Sequence, residues 1–169
     1  EKFTAPSMHH IFGTDNFGRD IFSRVMQGLG TTLVISTSVV LFSAVAGVLL
    51  GAFTGYFGGI LDEILMRITD AVNGFPSILL TLVIISLLGK GRQNVIIALG
   101  IVFIPSFVRI VRGEFLRLRD ADYIKRARLM GVSRLRILFV HILPNIFSVL
   151  LVSVMIGFNN AILAESGMS

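Results

Sequence analysis

The chain has 169 residues, 54% of them hydrophobic and 15% charged, with a mean hydropathy of +0.85 and a formal net charge of +5. Soluble domains sit near about 25% charged, so this composition argues for an integral membrane protein. The basic residues cluster beside apolar runs, which reads as membrane topology rather than nucleic-acid binding, and the lack of cysteine excludes a disulfide framework or a thiolate metal site.

The chain begins at Glu1, and no basic segment or cleavage site precedes its first apolar run. It is therefore expected to carry no signal peptide and to be a piece of something longer. His9 and His10 are adjacent, and neighbouring side chains usually point apart, so they are not assigned as a metal site. Gly13 to Asp20 reads as a turn-rich segment, with Asp20 placed to N-cap a helix. Ile21, Phe22, Val25, Met26 and Leu29 then share one face, as in an interfacial helix feeding the first span. An ordinary solvated helix start is the alternative.

Four stretches lack Asp, Glu, Lys and Arg, and a membrane helix needs about 20 apolar residues. They lie between Arg24 and Asp62 (densest from Thr32 to Phe57), Asp70 and Lys90 (centred on Ile78 to Leu88), Arg92 and Arg109, and Arg136 and Glu165. The third is short, but Ile110 and Val111 extend it if Arg109 snorkels. The expected fold is all-α, a polytopic transmembrane helical bundle of about four spans. Gly47, Gly51 and Gly55 repeat every four residues and predict a close helix–helix seam. Pro105 and Pro144 predict kinks in spans three and four.

Residues 109–136 hold nine of the 15 Lys and Arg residues, which assigns this loop to the cytoplasm. Alternation then puts Gly89 to Arg92 outside, Gly58 to Asp70 inside and residues 1–31 outside. Summed by side, ten basic residues lie inside and five outside. Within the loop, Asp120 or Asp122 is placed to cap a short helix and Gly131 to end it, with Ser133 capping the next. Tyr123, Ile124, Ala127 and Met130 share one face of that helix, and Lys125, Arg126, Arg128 and Leu129 cover the rest. Such a helix suits a groove on a partner or, equally, an anionic lipid surface.

Residues 123 to 144 resemble the cytoplasmic loop signature of ABC importer permeases: Glu-Ala-Ala, three residues, Gly, nine residues, then Ile-x-Leu-Pro. The matching positions are Lys125, Arg126, Ala127, Gly131, His141, Leu143 and Pro144, with Lys125, Arg126 and His141 departing from the pattern. Gly13-Thr14-Asp15-x-x-Gly18-Arg19-Asp20, Gly55-Tyr56-Phe57-Gly58-Gly59, Asp62, Met66-Arg67, Phe75-Pro76-Ser77 and His141 to Asn145 resemble, in this order, the C-type permease of dipeptide, oligopeptide and nickel importers.

The resemblance implies a type I ABC importer transmembrane domain in the bacterial cytoplasmic membrane. It implies residues 1–31 as an extracytoplasmic segment and 32–169 as a partial transmembrane domain with the coupling loop 109–136. Its partners would be a second permease subunit, two ABC ATPase subunits, an extracytoplasmic substrate-binding protein and membrane lipid, with no nucleic acid. The coupling helix would carry Tyr123, Ile124, Lys125, Arg126, Ala127, Met130 and Gly131. Family chains have further spans at both ends, and Ala164 to Ser169 looks like the point where such a chain carries on. There is no G-x-x-x-x-G-K-[ST] phosphate loop, so no ATPase site is expected in this chain. No catalytic, metal or cofactor residues are assigned. An ion-coupled transporter or channel segment is the alternative. The charge-free span centres count against it, and a non-transporting membrane scaffold is a third reading.

Overall fold

The computed structural model describes residues 3–8 and 10–168; His9 lies outside the described residues. The elements are helices α1 (Ile21–Phe57), α2 (Gly59–Asn73), α3 (Ser77–Leu88), α4 (Arg92–Leu118) and α5 (Asp122–Leu129), a single turn α6 (Arg134–Arg136), a π-helical turn (Ile137–Ile142), a 3₁₀ turn (Leu143–Ile146) and α7 (Phe147–Met168). The described residues hold no strand beyond an isolated bridge between Thr14 and Asp20. Three helical stretches are long and apolar enough to cross a membrane: Ile21–Phe57, Arg92–Leu118 and Arg134–Met168.

The segment before α1 folds around Asp15. Its carboxylate accepts the backbone amides of Phe17 (2.8 Å) and Arg19 (2.9 Å) and pairs with the Arg19 and Arg24 guanidinium groups. The Arg19 amide bond is the main reason the Asp15 carboxyl is held at about 2 rather than the ordinary 3.8. Gly13 has φ +74, and a Cβ there would lie 2.3 Å from the Thr4 carbonyl oxygen. Asp20 caps α1 by accepting the Ser23 amide.

α1 is unbroken for 37 residues, about 55 Å at the α-helical rise and well beyond an apolar core of about 30 Å. This corrects the expected separate interfacial helix: Ile21 to Leu29 form the first turns of the spanning helix itself. No glycine or proline conformation interrupts them, and Gly28 and Gly30 are accommodated in regular helix.

α1 and α4 run parallel, with Ser43 bonding the Gly100 carbonyl at one end and Gly55 against Phe115 at the other. The chain between them must therefore return across the same thickness. α2 and α3 make that return as a pair bent by 95°. α3 alone has 12 residues, about 18 Å long and too short to span. The second span, expected between Asp70 and Lys90, is thus a broken one that starts earlier, at α2. Pro76 lacks an amide to continue α2, and the break falls at Gly74-Phe75-Pro76.

Residues 58–70, expected as a loop, are mostly α2. Ile60, Leu61, Ile64 and Ile68 are exposed on it, while two of its acids turn to α4. Asp62 forms a two-pronged pair with Arg112 (2.5 and 2.7 Å), and Asp70 pairs with Arg109 at 2.9 Å.

α7 runs antiparallel to α1, and Thr32 on α1 donates to Glu165 on α7 at 2.9 Å. Two apolar clusters fill the bundle. One joins Ile35, Val39 and Val40 to Leu99, Phe107 and Ala161. The other, at the opposite end, joins Ala52 and Tyr56 to Val111, Phe115, Ile124, Ile137 and Ile142.

The two prolines act differently. Pro105 is buried within α4, whose helix runs through it unbroken. Pro144 lies in the 3₁₀ turn that follows the π turn, so span four is deformed over ten residues rather than kinked at one.

Candidate functional site

The three glycines of α1 are placed against α4. An added Cβ would lie 2.3 Å from Phe107 Cβ at Gly47, 2.7 Å from the Val108 carbonyl oxygen at Gly51, and 2.7 Å from Phe115 Cβ at Gly55. Backbone approaches this close require residues without a side chain. The seam ends at Tyr56, where α5 docks.

The basic stretch 109–136 is not a loop. α4 continues to Leu118, and only short connections flank α5. α5 is N-capped by Ala121, and Asp122 sits in its first turn, where a negative charge suits the helix dipole. After Met130 the chain turns at Gly131, whose φ of +76 favours glycine. Ser133 caps α6 by accepting the Arg136 amide.

The helix face expected to meet a partner is split. Ile124 is fully buried against Phe115, Ile137 and Leu138, and Ala127 packs on the same cluster. The chain's own α4 and π turn cover that stripe. Burying Ile124 contributes about 2 kcal/mol to holding α5 in place. Tyr123 (41% exposed) lies at the edge, while Leu129 (88%) and Met130 (83%) stand clear. Lys125 and Arg126 are exposed beside them. A partner can reach Tyr123, Leu129 and Met130 but not Ile124, which corrects the outward face read from the sequence.

Several contacts at this end were not read from the sequence. Arg128 lies over the Tyr56 ring at 5.3 Å and donates to the Arg119 carbonyl at 3.1 Å. Asn145 Nδ2 donates to the His141 carbonyl at 2.6 Å and to the Tyr123 hydroxyl at 3.3 Å. The Asp62–Arg112 pair ties α2 to the same end. Of these, Tyr56, Asp62 and Asn145 stand in the sequence motifs that carry the resemblance, but nothing in the sequence pointed to their partners. No group of three or more His, Cys, Asp or Glu side chains suited to a metal ion occurs among the described residues.

The site is therefore a short helix braced from within by Ile124 and Ala127. It displays two large apolar side chains and positive charge at the end of the bundle where α1, α2, α4 and span four meet.

A family model described as "Binding-protein-dependent transport system inner membrane component" matches residues 47–169. A putative peptide transport system permease protein of Brucella suis is 45% identical over 168 residues, covering 99% of this chain and 56% of its own length. A dipeptide transport system permease protein of Alkalihalophilus pseudofirmus is 40% identical over 167 residues (99% and 55%). A glutathione transport system permease protein of Pectobacterium atrosepticum is 40% identical over 164 residues (97% and 54%). The chain spans about half the length of the curated relatives it matches.

Proposed function

Since the chain belongs to the family of binding-protein-dependent transport system inner membrane components, a multi-pass part of the bacterial inner membrane, we propose that it forms part of the transmembrane path of an ATP-driven importer. A second permease subunit would complete the path. Two separate ATPase subunits would bind at the cytoplasmic end, and an external binding protein would deliver cargo. The chain itself would transport and not catalyse. The relatives named for peptides, dipeptides and glutathione support a peptide-class cargo over nickel.

The observation that carries this reading is α5: a helix anchored by a fully buried Ile124 while Leu129 and Met130 remain exposed. ATPase closure would move α5 as a rigid body, and α4 and span four, which flank it, would follow.

The test replaces Leu129 and Met130 with Asp in the full-length subunit. Neither side chain supports this chain's own core, so membrane insertion and stability should be kept. A large side chain that acts as an interface hot spot carries about 2 kcal/mol or more, so ATPase co-purification should fall roughly tenfold or more and uptake should fail. Normal ATPase binding and normal uptake in this variant would sink the coupling role. Uptake of labelled dipeptide against labelled nickel in a deletion strain decides the cargo.

A further inference from the structure

Where α1 ends, two openings share one side chain, Phe57. The first is a cleft of about 370 Å³ lined by Tyr56, Phe57, Arg128, Val132 and Arg134. The second is a groove of about 210 Å³ lined by Leu50, Phe53, Thr54, Phe57, Leu61 and Leu65. The cleft is basic and the groove is almost wholly apolar.

The charges in the cleft are available. Arg128 uses one donor on the Arg119 carbonyl, and a guanidinium has five. No carboxylate pairs with Arg128 or Arg134 among the described residues. Tyr56 holds the Arg128 guanidinium over its ring at 5.3 Å, while the nearby Arg119 is already paired with Asp120 and leaves Arg128 and Arg134 as the cleft's cations. Guanidinium groups gathered in this way match the oxygens of a phosphate.

The groove has a direction. Leu50, Phe53 and Phe57 follow one face of α1 at i, i+3 and i+7, so the groove climbs about 10 Å from the cleft back along the spanning helix. With the basic end cytoplasmic, that path leads from the headgroup level into the hydrocarbon. We infer that the paired opening binds one phospholipid with an anionic headgroup, its phosphate between Arg128 and Arg134 and an acyl chain along Leu50, Phe53 and Leu61. An acidic side chain of an ATPase would answer the arginines but leave the adjoining apolar groove without a purpose.

This inference rests on the membrane reading and its orientation, not on the transport cycle, so it can fail or stand independently of importer function. The test uses the full-length permease complex in phosphatidylcholine nanodiscs that carry phosphatidylglycerol with a photoreactive acyl chain. Labelled peptides are read by mass spectrometry. Wild type should be labelled within residues 50–65, and photoreactive phosphatidylcholine should label that segment far less. Arg128→Gln with Arg134→Gln should weaken phosphatidylglycerol labelling about twenty-five-fold, at about fivefold for each charge removed near an anionic surface. Arg128→Lys with Arg134→Lys should restore most of it, and Arg92→Gln, at the other end of α4, should leave it unchanged.

Equal labelling by the two lipids would overturn the assignment. So would loss of labelling on addition of inorganic phosphate at matched ionic strength, which would make the cleft a free-anion site. If the Gln variant lost the ATPase in discs of phosphatidylcholine alone while keeping its phosphatidylglycerol labelling, the arginines would belong to a protein interface and the lipid assignment would fail.

Discussion

Gly51→Ala tests the α1–α4 seam most directly. The added methyl would stand 2.7 Å from the Val108 carbonyl oxygen, 2.9 Å from Val111 Cβ and 3.1 Å from the Arg112 amide nitrogen. These are about 1 Å or less inside a comfortable contact. Two of the three neighbours are backbone, which cannot swing aside, so the helices must separate along their whole contact. Overpacking of this kind costs about 1–3 kcal/mol, and the helix preference of Ala over Gly returns up to about 1 kcal/mol. The net expectation is a loss of about 1–2 kcal/mol. Gly28→Ala in the same helix is the internal comparison, since nothing lies within 4 Å of a Cβ there. It should be neutral or stabilising by up to about 1 kcal/mol. The isolated full-length subunit in detergent would be unfolded by dodecyl sulfate titration and followed by circular dichroism. If the two substitutions shift the midpoint alike, the glycines are there for some reason other than close approach.

Asp62→Asn should loosen α2 from α4. Its carboxylate holds Arg112 by two bonds, with side-chain exposures of only 15% and 27%. Leaving that guanidinium without its partner costs about 1–3 kcal/mol, and a double-mutant cycle with Arg112→Gln should recover a coupling of that order. Acid should undo the turn before α1. The Asp15 carboxyl sits at about 2 instead of 3.8, so its folded value is depressed. The stability it lends is present above 3.8 and fades as pH falls toward 2. Pepsin cleavage around residues 13–20 should therefore rise steeply over that window in wild type, and Asp15→Asn should be cut readily throughout. Tyr123→Phe removes a 3.3 Å contact with Asn145, whereas Asn145→Ala also removes the 2.6 Å bond to His141. Uptake should drop a few-fold in the first, at about 0.5–1.5 kcal/mol per bond, and further in the second. ATPase co-purification should be retained in both; its loss would place Asn145 in the interface instead.

The long charge-free runs between Arg24 and Asp62 and between Arg136 and Glu165 were legible because a membrane tolerates almost nothing else at its centre. The Gly47–Gly51–Gly55 spacing pointed to close packing, though not to the helix it meets. The return between α1 and α4 was harder to read. Asp62, Glu63, Arg67 and Asp70 gave α2 the look of a polar loop, yet two of those acids face arginines on α4. A helix that pairs its charges inward and exposes Ile60 and Ile64 inverts the usual pattern. The face of α5 was misread for a related reason. A stripe of Tyr123, Ile124, Ala127 and Met130 has the same spacing whether the cover comes from the chain or from a partner. Only the positions of Phe115 and Ile137 decide that Ile124 turns inward.

Those positions also bear on how a push at α5 would spread on the reading proposed above. α1 and α4 meet through glycines with no room to slide, so they move together. Span four begins differently: a π turn from Ile137 to Ile142 and a 3₁₀ turn from Leu143 to Ile146 leave its first ten residues out of regular α-helix. Pro144 can donate no amide there. Asn145 instead sends its side-chain amide back to the His141 carbonyl and reaches Tyr123 with it as well. The face of α5 that packs inward, through Ile124, rests on Ile137 and Leu138, at the start of this irregular stretch. π turns embedded in α-helices are frequently functional. A helix can change its hydrogen-bond register most cheaply where the ladder is already broken. On that reading the α1–α4 pair would follow α5 as one rigid unit, and span four, entered through Tyr123 and Asn145, is the element with freedom to bend as it follows.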